Sequence, residues 1–329
     1  MRVALIEVGH WHAALHLRSL QRGGADIVAV SDRQPGVAEA TAARIGCLAF
    51  RDYRDMLRAV KPDFVMAMGR HVDMPAIARD LLEARIPFAI EKPLGTSAEQ
   101  VAPLVDLAYQ RNAFVAVPFT NRYSALWTRL DELEKEGRVG IRSHAHFRII
   151  NGPPSRYEAD HVEWMLDPAI SGGGCMRNLG IHAADAFLYF VGGDEVSVLG
   201  AATTRRVHGR AVEEMGAALL CSRGGVLGTI EAGYSYASMT SGDFEWRVAT
   251  ANCYLVDRND TLQVATLDDA QIRQLPNDDQ EARYDRFGAD TIERLRLGKP
   301  PIATIEDCYR AMRIIDEIYS KAMNIPYQP

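Results

Sequence analysis

Val3-Ala4-Leu5-Ile6-Glu7-Val8-Gly9-His10-Trp11-His12, close to the first residue, is a short apolar run that ends in a turn with one glycine. Apolar residues at helical spacing follow over 13–20. Further short apolar runs alternate with helical stretches, at 27–30, 64–68, 88–90 and 114–117. This alternation is typical of a parallel sheet covered by helices on both faces. We therefore predict a doubly wound α/β domain over residues 1–120.

From residue 121 on, the chain changes to longer stretches in which apolar and polar residues partly alternate. These stretches lie at 142–150, 196–207, 217–222, 226–236 and 245–256. Turn residues such as Arg223-Gly224-Gly225 separate several of them, which indicates an antiparallel sheet. We predict an α+β domain over residues 121–329, closed by a helix over about 305–322 that is able to pack back on the first domain.

Composition excludes several classes of protein. The 329 residues carry 37 Lys+Arg against 43 Asp+Glu, a net charge of −6 that disfavours a nucleic-acid or anionic-membrane partner. No run of about 18 apolar residues is present, so we expect no membrane span. Glu7 breaks the N-terminal apolar run, so we expect no signal peptide. The five cysteines are scattered, as in reduced proteins, and we expect a cytoplasmic protein.

The turn after the first apolar run lies where dinucleotide-binding folds hold a pyrophosphate at a helix N-terminus. Only the middle glycine of Gly-x-Gly-x-x-Gly is present, as Gly9. Asp32 ends the second run, where an acid binds ribose hydroxyls and repels a 2′-phosphate; this favours NAD, although Arg33 relaxes the preference. The alternative is an ordinary turn in which Asp32 is a turn or helix-start residue. Glu7 would repel a pyrophosphate unless its carboxylate turns away or meets a cation.

Two later motifs carry a resemblance to a known family. Glu91-Lys92-Pro93 follows the run at 88–90, and 171–185 reads SGGGCMRNLGIHAAD. Together they resemble the Gfo/Idh/MocA oxidoreductases, and the likeness extends over nearly the whole chain. It implies a Rossmann domain followed by a domain with a large, open, mainly antiparallel sheet. It also implies homodimers or homotetramers, and hydride transfer between NAD(H) or NADP(H) and a hydroxyl of a sugar, polyol or inositol.

The resemblance also implies roles for individual residues. His182 matches the catalytic histidine, whose imidazole suits reversible proton transfer. Lys92 matches the active-site lysine, which would stabilise developing alkoxide charge. Asn178 stands where many relatives have Asp; at four residues before His182 on a helix it would face the same site, but an amide cannot accept a proton. We interpret Asp185, three residues after His182, as structural and helix-stabilising.

Further residues are candidates by position. Those expected to border the cofactor are Gly9, His10, Trp11, Asp32, Arg33, Met68, His71, Glu91, Lys92 and Pro93. Those expected to line the substrate site are Asn121, Tyr157, His161, Trp164 and Tyr234, with Trp164 able to stack on a sugar face. Two histidine pairs, at 10/12 and 144/146, have no obvious acidic or cysteine partner nearby in sequence, so we predict no functional metal site.

Two classes of function remain open at this stage. The leading hypothesis is an NAD(P)-dependent dehydrogenase or reductase in which Lys92 and His182 act at the reacting oxygen, with Asn178 assisting. The alternative is a non-catalytic sensor or regulator that binds NAD(P) or a sugar on the same scaffold. Glu7, the Gly69-Arg70 segment and Asn178 favour the sensor, whereas the presence of both Lys92 and His182 favours the enzyme.

Overall fold

A computed structural model of the chain describes residues 1–259 and 261–325, and these form two compact units. The first unit consists of Met1–Thr120 together with Gln280–Tyr309. The second consists of Asn121–Asp279 and the residues from Arg310 on. Among the described residues, every helix is too short or too polar to cross a lipid bilayer.

The first unit is built on a six-stranded parallel sheet in the order β3-β2-β1-β4-β5-β6, the Rossmann order. Its strands are β1 (Arg2–Ile6), β2 (Asp26–Ser31), β3 (Leu48–Phe50), β4 (Phe64–Ala67), β5 (Phe88–Ile90) and β6 (Val115–Ala116). Its helices are α1 (Ala13–Arg22), α2 (Val37–Ile45), α3 (Tyr53–Val60), α4 (Met74–Glu83), α5 (Ala98–Gln110) and, late in the chain, α10 (Gln280–Arg296). The predicted doubly wound domain is confirmed.

Burial explains which strands the sequence revealed. Strands β1 and β4 lie at the centre of the sheet, and Val3 and Phe64 in them are both 0% exposed. Strand β3 was not predicted, because it is a three-residue edge strand in which Leu48 is 57% exposed. Helix α3, also not predicted, is capped by Asp52, whose carboxylate accepts hydrogen bonds from two backbone N–H groups of the first turn.

Helix α10 belongs to the first unit, whereas the sequence placed residues 280–309 in the second domain. It packs on α1, and Asp285 on α10 forms ion pairs with Arg18 and Arg22 of α1. An apolar helix face shows that a helix is covered but does not show by which sheet. Helix α11 (Ile305–Lys321) begins in the first unit and continues into the second.

The second unit is built on a nine-stranded sheet in the order β14-β13-β12-β11-β7-β10-β9-β8-β15. Its strands are β7 (Arg142–Asn151), β8 (Val196–Thr204), β9 (Met215–Ser222), β10 (Leu227–Gly233), β11 (Gly242–Thr250), β12 (Cys253–Arg258), β13 (Thr261–Thr266), β14 (Asp269–Pro276) and β15 (Ala322–Ile325). Its helices are α6 (Ala125–Lys135), α7 (Ser155–Ala159), α8 (Pro168–Ser171) and α9 (Ile181–Phe190), with a π-helical turn, Met176–Gly180, before α9.

This sheet is mainly antiparallel, as predicted, but β10 pairs with β7 and β15 with β8 in parallel. The predicted stretch 245–256 consists of two antiparallel strands, β11 and β12, and the chain reverses direction after Thr250. The Thr250 hydroxyl closes this turn by accepting a 3.1 Å hydrogen bond from the N–H of Cys253. Strands β13 and β14 were not predicted, and residue 322, expected to end a helix, begins β15.

Candidate active site

The first turn is held by Asp32 at the end of β2. The N–H of Gly9 donates a 2.6 Å hydrogen bond to Asp32 Oδ2, and the N–H of Gln34 donates a 2.8 Å bond to Oδ1. A Cβ at position 9 would lie 2.9 Å from the same Oδ2, so the close approach requires glycine. Asp32 is 3% exposed, and both of its carboxylate oxygens accept hydrogen bonds from backbone N–H groups of the loops. Its contact with a ribose remains a prediction.

Glu7, which seemed to conflict with a pyrophosphate, meets a cation. Its backbone is in the left-handed region, with φ of 57°. The Nε of Arg33 donates a 2.7 Å hydrogen bond to Glu7 Oε2, and Arg33 Nη1 lies 2.6 Å from Asp73 Oδ2. Burial raises the pKa of Glu7, while the charge of Arg33 opposes the shift. The Glu7 carboxylate is thus paired with a cation at the end of β2.

The first unit has features that fit a dinucleotide. Helix α1 begins directly after the turn and has no acidic residue in its first turn, so its N-terminus suits an anion. A cavity of about 560 Å³ opens at the carboxyl ends of β2 and β3, large enough for a nucleoside. It is lined by Arg33, Phe50, Arg51, Asp52 and Asp55. Ligands of doubly wound sheets bind at this edge.

The Glu91-Lys92-Pro93 segment follows β5 and is buried, with a cis peptide bond between Lys92 and Pro93. Lys92 is 3% exposed; burial lowers the pKa of its ammonium group, and the charge of Glu91 acts in the opposite direction. Glu91 Oε1 lies 2.9 Å from His12 Nδ1 and 2.7 Å from His16 Nε2. His16 was not singled out from the sequence, because no local pattern links α1 to the end of β5.

The other residues predicted to border the cofactor also lie in the first unit. The ring of His10 stacks on that of Trp11, with centroids 3.8 Å apart. Met68 and His71 are buried, at 0% and 2% exposure. Their contact with a cofactor stays a prediction.

In the second unit, the structure brings three predicted residues together. Asn178 Nδ2 donates hydrogen bonds to the hydroxyl oxygens of Tyr157, at 2.8 Å, and Tyr234, at 3.1 Å. All three side chains are buried, and burial raises the pKa of Tyr157 to about 12. Asn178 lies in the π-helical turn, so the argument from α-helical spacing to His182 does not apply to it.

Asp185 is structural through an ion pair. Arg122 donates from Nε to Asp185 Oδ2 at 3.1 Å and from Nη2 to Oδ1 at 2.6 Å. Both side chains are at most 5% exposed. The expectation that Asp185 stabilises its own helix is therefore corrected, because its carboxylate is engaged by a residue far away in sequence.

The triple glycine is held by a residue that the sequence did not reveal. Glu213 accepts hydrogen bonds from the N–H groups of Gly174, at 2.8 Å, and Met176, at 3.0 Å. The Tyr319 hydroxyl donates a 2.7 Å bond to the same carboxylate. A Cβ at Gly173 would collide with the Tyr319 hydroxyl, and one at Gly174 with the Glu213 carbonyl. Tight packing thus explains these glycines.

The remaining candidates in this unit are spread over several elements. His182, on α9, is half-buried. Asn121 and Trp164 are also half-buried, in short 3₁₀ turns. His161 is exposed, with φ of 56°. Their contact with a substrate stays a prediction.

Comparison with known families agrees with this architecture. Residues 1–119 match the family model described as an oxidoreductase family with an NAD-binding Rossmann fold, and residues 127–251 match the GFO/IDH/MocA C-terminal domain. The chain belongs to the Gfo/Idh/MocA oxidoreductase family. The resemblance inferred from Glu91-Lys92-Pro93 and the segment 171–185 is therefore confirmed.

Individual members of the Gfo/Idh/MocA family match to different extents. The dTDP-3,4-didehydro-2,6-dideoxy-alpha-D-glucose 3-reductase of Saccharopolyspora spinosa is 29% identical over 64% of this chain and 60% of its own length. The D-xylose 1-dehydrogenase (NADP(+)) 2 of Haloferax volcanii is 25% identical over 92% of both chains. Levoglucosan dehydrogenase, solved with NADH and levoglucosan, has a TM-score of 0.86 at 18% identity, covering 98% of this chain and 96% of its own. The last likeness supports the shared fold.

Proposed function

We propose that the protein is an NAD(P)-dependent oxidoreductase that transfers a hydride between the nicotinamide and a hydroxyl or carbonyl group of a sugar, polyol or inositol-like substrate. Family membership and the names of the relatives support this class. The observation that carries it is the buried Lys92 at the carboxyl end of β5, beside Glu91. A lysine that only serves solubility would not be 3% exposed.

Lys92 and His182 are the groups that we assign to the reacting oxygen. When bound, the nicotinamide supplies the hydride chemistry. Oxidation of a hydroxyl also releases a proton, which a neutral amine or imidazole accepts. Burial favours the neutral form of Lys92, and in the reverse direction its ammonium stabilises alkoxide charge. We assign a second acid–base role to His182, which is half-buried on α9.

Asn178 acts as a positioning residue and does not transfer a proton. Its amide donates to the hydroxyls of Tyr157 and Tyr234, so it fixes the two phenols relative to each other. Because Tyr157 and Tyr234 are 4% and 0% exposed, we propose that they form the supporting wall of the substrate site rather than stack on a sugar. Asn121, Trp164 and His161 are the further substrate contacts that we propose.

The first unit would hold the cofactor through Gly9, His10, Trp11 and the α1 N-terminus. Arg33 lines the cavity at the end of β2, where a 2′-phosphate would compete with Glu7 and Asp73 for its guanidinium. Because both oxygens of Asp32 accept backbone hydrogen bonds, the acid disfavours NADP less than the sequence indicated. We propose that both NAD and NADP bind, and that the enzyme works in the cytoplasm as a homodimer or homotetramer.

The test is a screen for cofactor reduction or oxidation. Protein, NAD or NADP, and a panel of sugars, sugar acids and inositols are mixed, and absorbance of the reduced cofactor is followed. We expect turnover with one substrate group, and loss of turnover in both Lys92→Ala and His182→Ala. The exposed residues Lys299 and His144 provide matched controls, Lys299→Ala and His144→Ala, which keep full activity.

Calorimetric titration with NAD and NADP separates the enzyme from its alternative. The sensor is favoured if a cofactor binds, no substrate is turned over, and Lys92→Ala binds the cofactor as the wild type does. Full activity in both Lys92→Ala and His182→Ala would refute the assignment of these residues.

A further inference from the structure

Four side chains of the first unit converge next to the Glu91-Lys92-Pro93 segment. His12 is the residue before α1, His16 lies one turn further along the same helix, Glu91 follows β5, and Tyr284 lies on α10. His12 Nδ1, His16 Nε2 and a Glu91 carboxylate oxygen all lie within 4.8 Å of one another. Of the residues that the structure describes, no other His, Cys, Asp and Glu side chains converge in this way.

The convergence is shielded from water. The side chains of His16 and Glu91 are 0% and 2% exposed, and that of His12 is 13% exposed. Tyr284, which is also 2% exposed, places its hydroxyl 3.0 Å from His12 Nδ1. A buried carboxylate has lost its hydrating water, and a bound cation compensates for that loss. Here two imidazole nitrogens face the same carboxylate and could ligate such a cation.

Two neighbours of His12 Nδ1 compete for the same nitrogen. His12 Nδ1 faces both Glu91 Oε1, at 2.9 Å, and the Tyr284 hydroxyl, at 3.0 Å. In a neutral imidazole this nitrogen either donates or accepts. If it accepts from Tyr284, its lone pair is directed at a carboxylate oxygen; if it donates to Glu91, the tyrosine proton has no acceptor there. A positive centre among the three ligand atoms removes this conflict.

We propose that His12, His16 and Glu91 bind a divalent transition-metal ion of the zinc class, with the Tyr284 hydroxyl or a water as fourth ligand. Two imidazoles and one carboxylate form a ligand set that zinc commonly accepts, and nitrogen ligands disfavour Mg²⁺ and Ca²⁺. Ligand atoms about 2.0–2.2 Å from a tetrahedral ion lie roughly 3.3 Å apart. The two N–O distances, 2.9 and 2.7 Å, therefore open by about half an ångström on binding.

The surroundings of His16 set an upper limit on the affinity. Its Nδ1 is buried and has no hydrogen-bond partner within the described ranges, 1–259 and 261–325. Metal-bound imidazoles usually donate their second N–H to a carbonyl or carboxylate, and loss of that bond costs about 10–100-fold in affinity. We therefore expect a weaker site than that of a structural zinc protein. The ion would join the start of α1 to the segment that carries Lys92.

The test uses tag-free, full-length protein stripped with EDTA, because a histidine tag would itself bind zinc. Zn²⁺ is titrated by calorimetry, and Co²⁺ is added separately to record visible absorption. We expect one ion per chain, a higher melting temperature with Zn²⁺, no response to Mg²⁺, and a Co²⁺ spectrum. His12→Ala and Glu91→Gln lose at least about 10-fold in affinity. The exposed His144 provides the matched control, His144→Ala, which binds as the wild type does.

Two outcomes would overturn the proposal. If the wild-type protein binds no stoichiometric Zn²⁺, the cluster is a hydrogen-bonded arrangement only, whatever the variants do. If His12→Ala binds Zn²⁺ as tightly as the wild type, the ion lies elsewhere, for instance on a free cysteine. His12 is the preferred position because its partial exposure makes the variant tolerable, and circular dichroism in EDTA checks that it folds.

Discussion

Replacing Asp185 by Asn should destabilise the second unit strongly, although Asp185 takes no part in the proposed chemistry. Its carboxylate receives two hydrogen bonds from Arg122, and the two side chains are 3% and 5% exposed. Removing one partner of a buried pair costs about 3–5 kcal/mol, because the other charge stays buried. Arg122 is also held over the ring of Tyr189, 4.9 Å from its centroid, so it cannot easily turn to water.

Urea unfolding followed by circular dichroism measures the effect. With an m-value of about 2 kcal/mol/M, a loss of about 4 kcal/mol lowers the midpoint by roughly 2 M. The control in the same unit is Glu134→Gln, which removes the exposed ion pair between Glu134 and Arg142 and should cost less than about 1 kcal/mol. The double variant Arg122→Met/Asp185→Leu should be more stable than Asp185→Asn, because it buries no charge.

The reasoning is refuted if Asp185→Asn shifts the midpoint no more than Glu134→Gln does. It is also refuted if the apolar double variant is less stable than Asp185→Asn. The first result would mean that Arg122 regains water; the second would mean that the pair, rather than the avoidance of a buried charge, stabilises the unit.

Three further perturbations test the site. The rate of alcohol oxidation should rise with pH through a pKa below 10.5, the ordinary value for lysine, because burial favours the proton-accepting neutral form of Lys92; initial rates that stay flat to that pH would contradict this. Gly9→Ala should lower the melting temperature, because the added Cβ displaces Asp32 and breaks a charge-assisted hydrogen bond of about 1.5–3 kcal/mol. An unchanged melting curve would show that the turn adapts. Asn178→Leu should cost about 2 kcal/mol in urea unfolding and Tyr234→Phe about half of that, whereas equal losses would mean that the amide does not serve two hydroxyls.

Local patterns were sufficient to predict most of the fold. Buried parallel strands such as β4 read as continuous apolar runs, and the order of runs and helices predicted the Rossmann sheet. Strand β3 was missed because its apolar run, Leu48–Phe50, is only three residues long. The position of α10 could not be predicted, because it depends on ion pairs and packing with α1, more than 250 residues away in the chain.

Some features of the candidate site could likewise be predicted from the sequence, and others could not. Glu91-Lys92-Pro93 is a contiguous motif, so its position at the end of β5 could be predicted. The engagement of Asp32 by backbone N–H groups could not, because it depends on the path of the turn. Likewise, the partners of Asn178 follow from a π-helical turn that no residue spacing announced.

The glycines before α9 bear on how a mutational map of this protein should be interpreted. A side chain at Gly173 or Gly174 has no room beside Tyr319 and Glu213, so every substitution there should be as damaging as one at Lys92. A screen that records only turnover would score the glycine positions and Lys92 as equally sensitive. The apparent catalytic region would then be too large. Measuring soluble yield alongside turnover tells them apart, because the glycine variants lose the protein itself, whereas Lys92→Ala leaves a folded chain that does no chemistry.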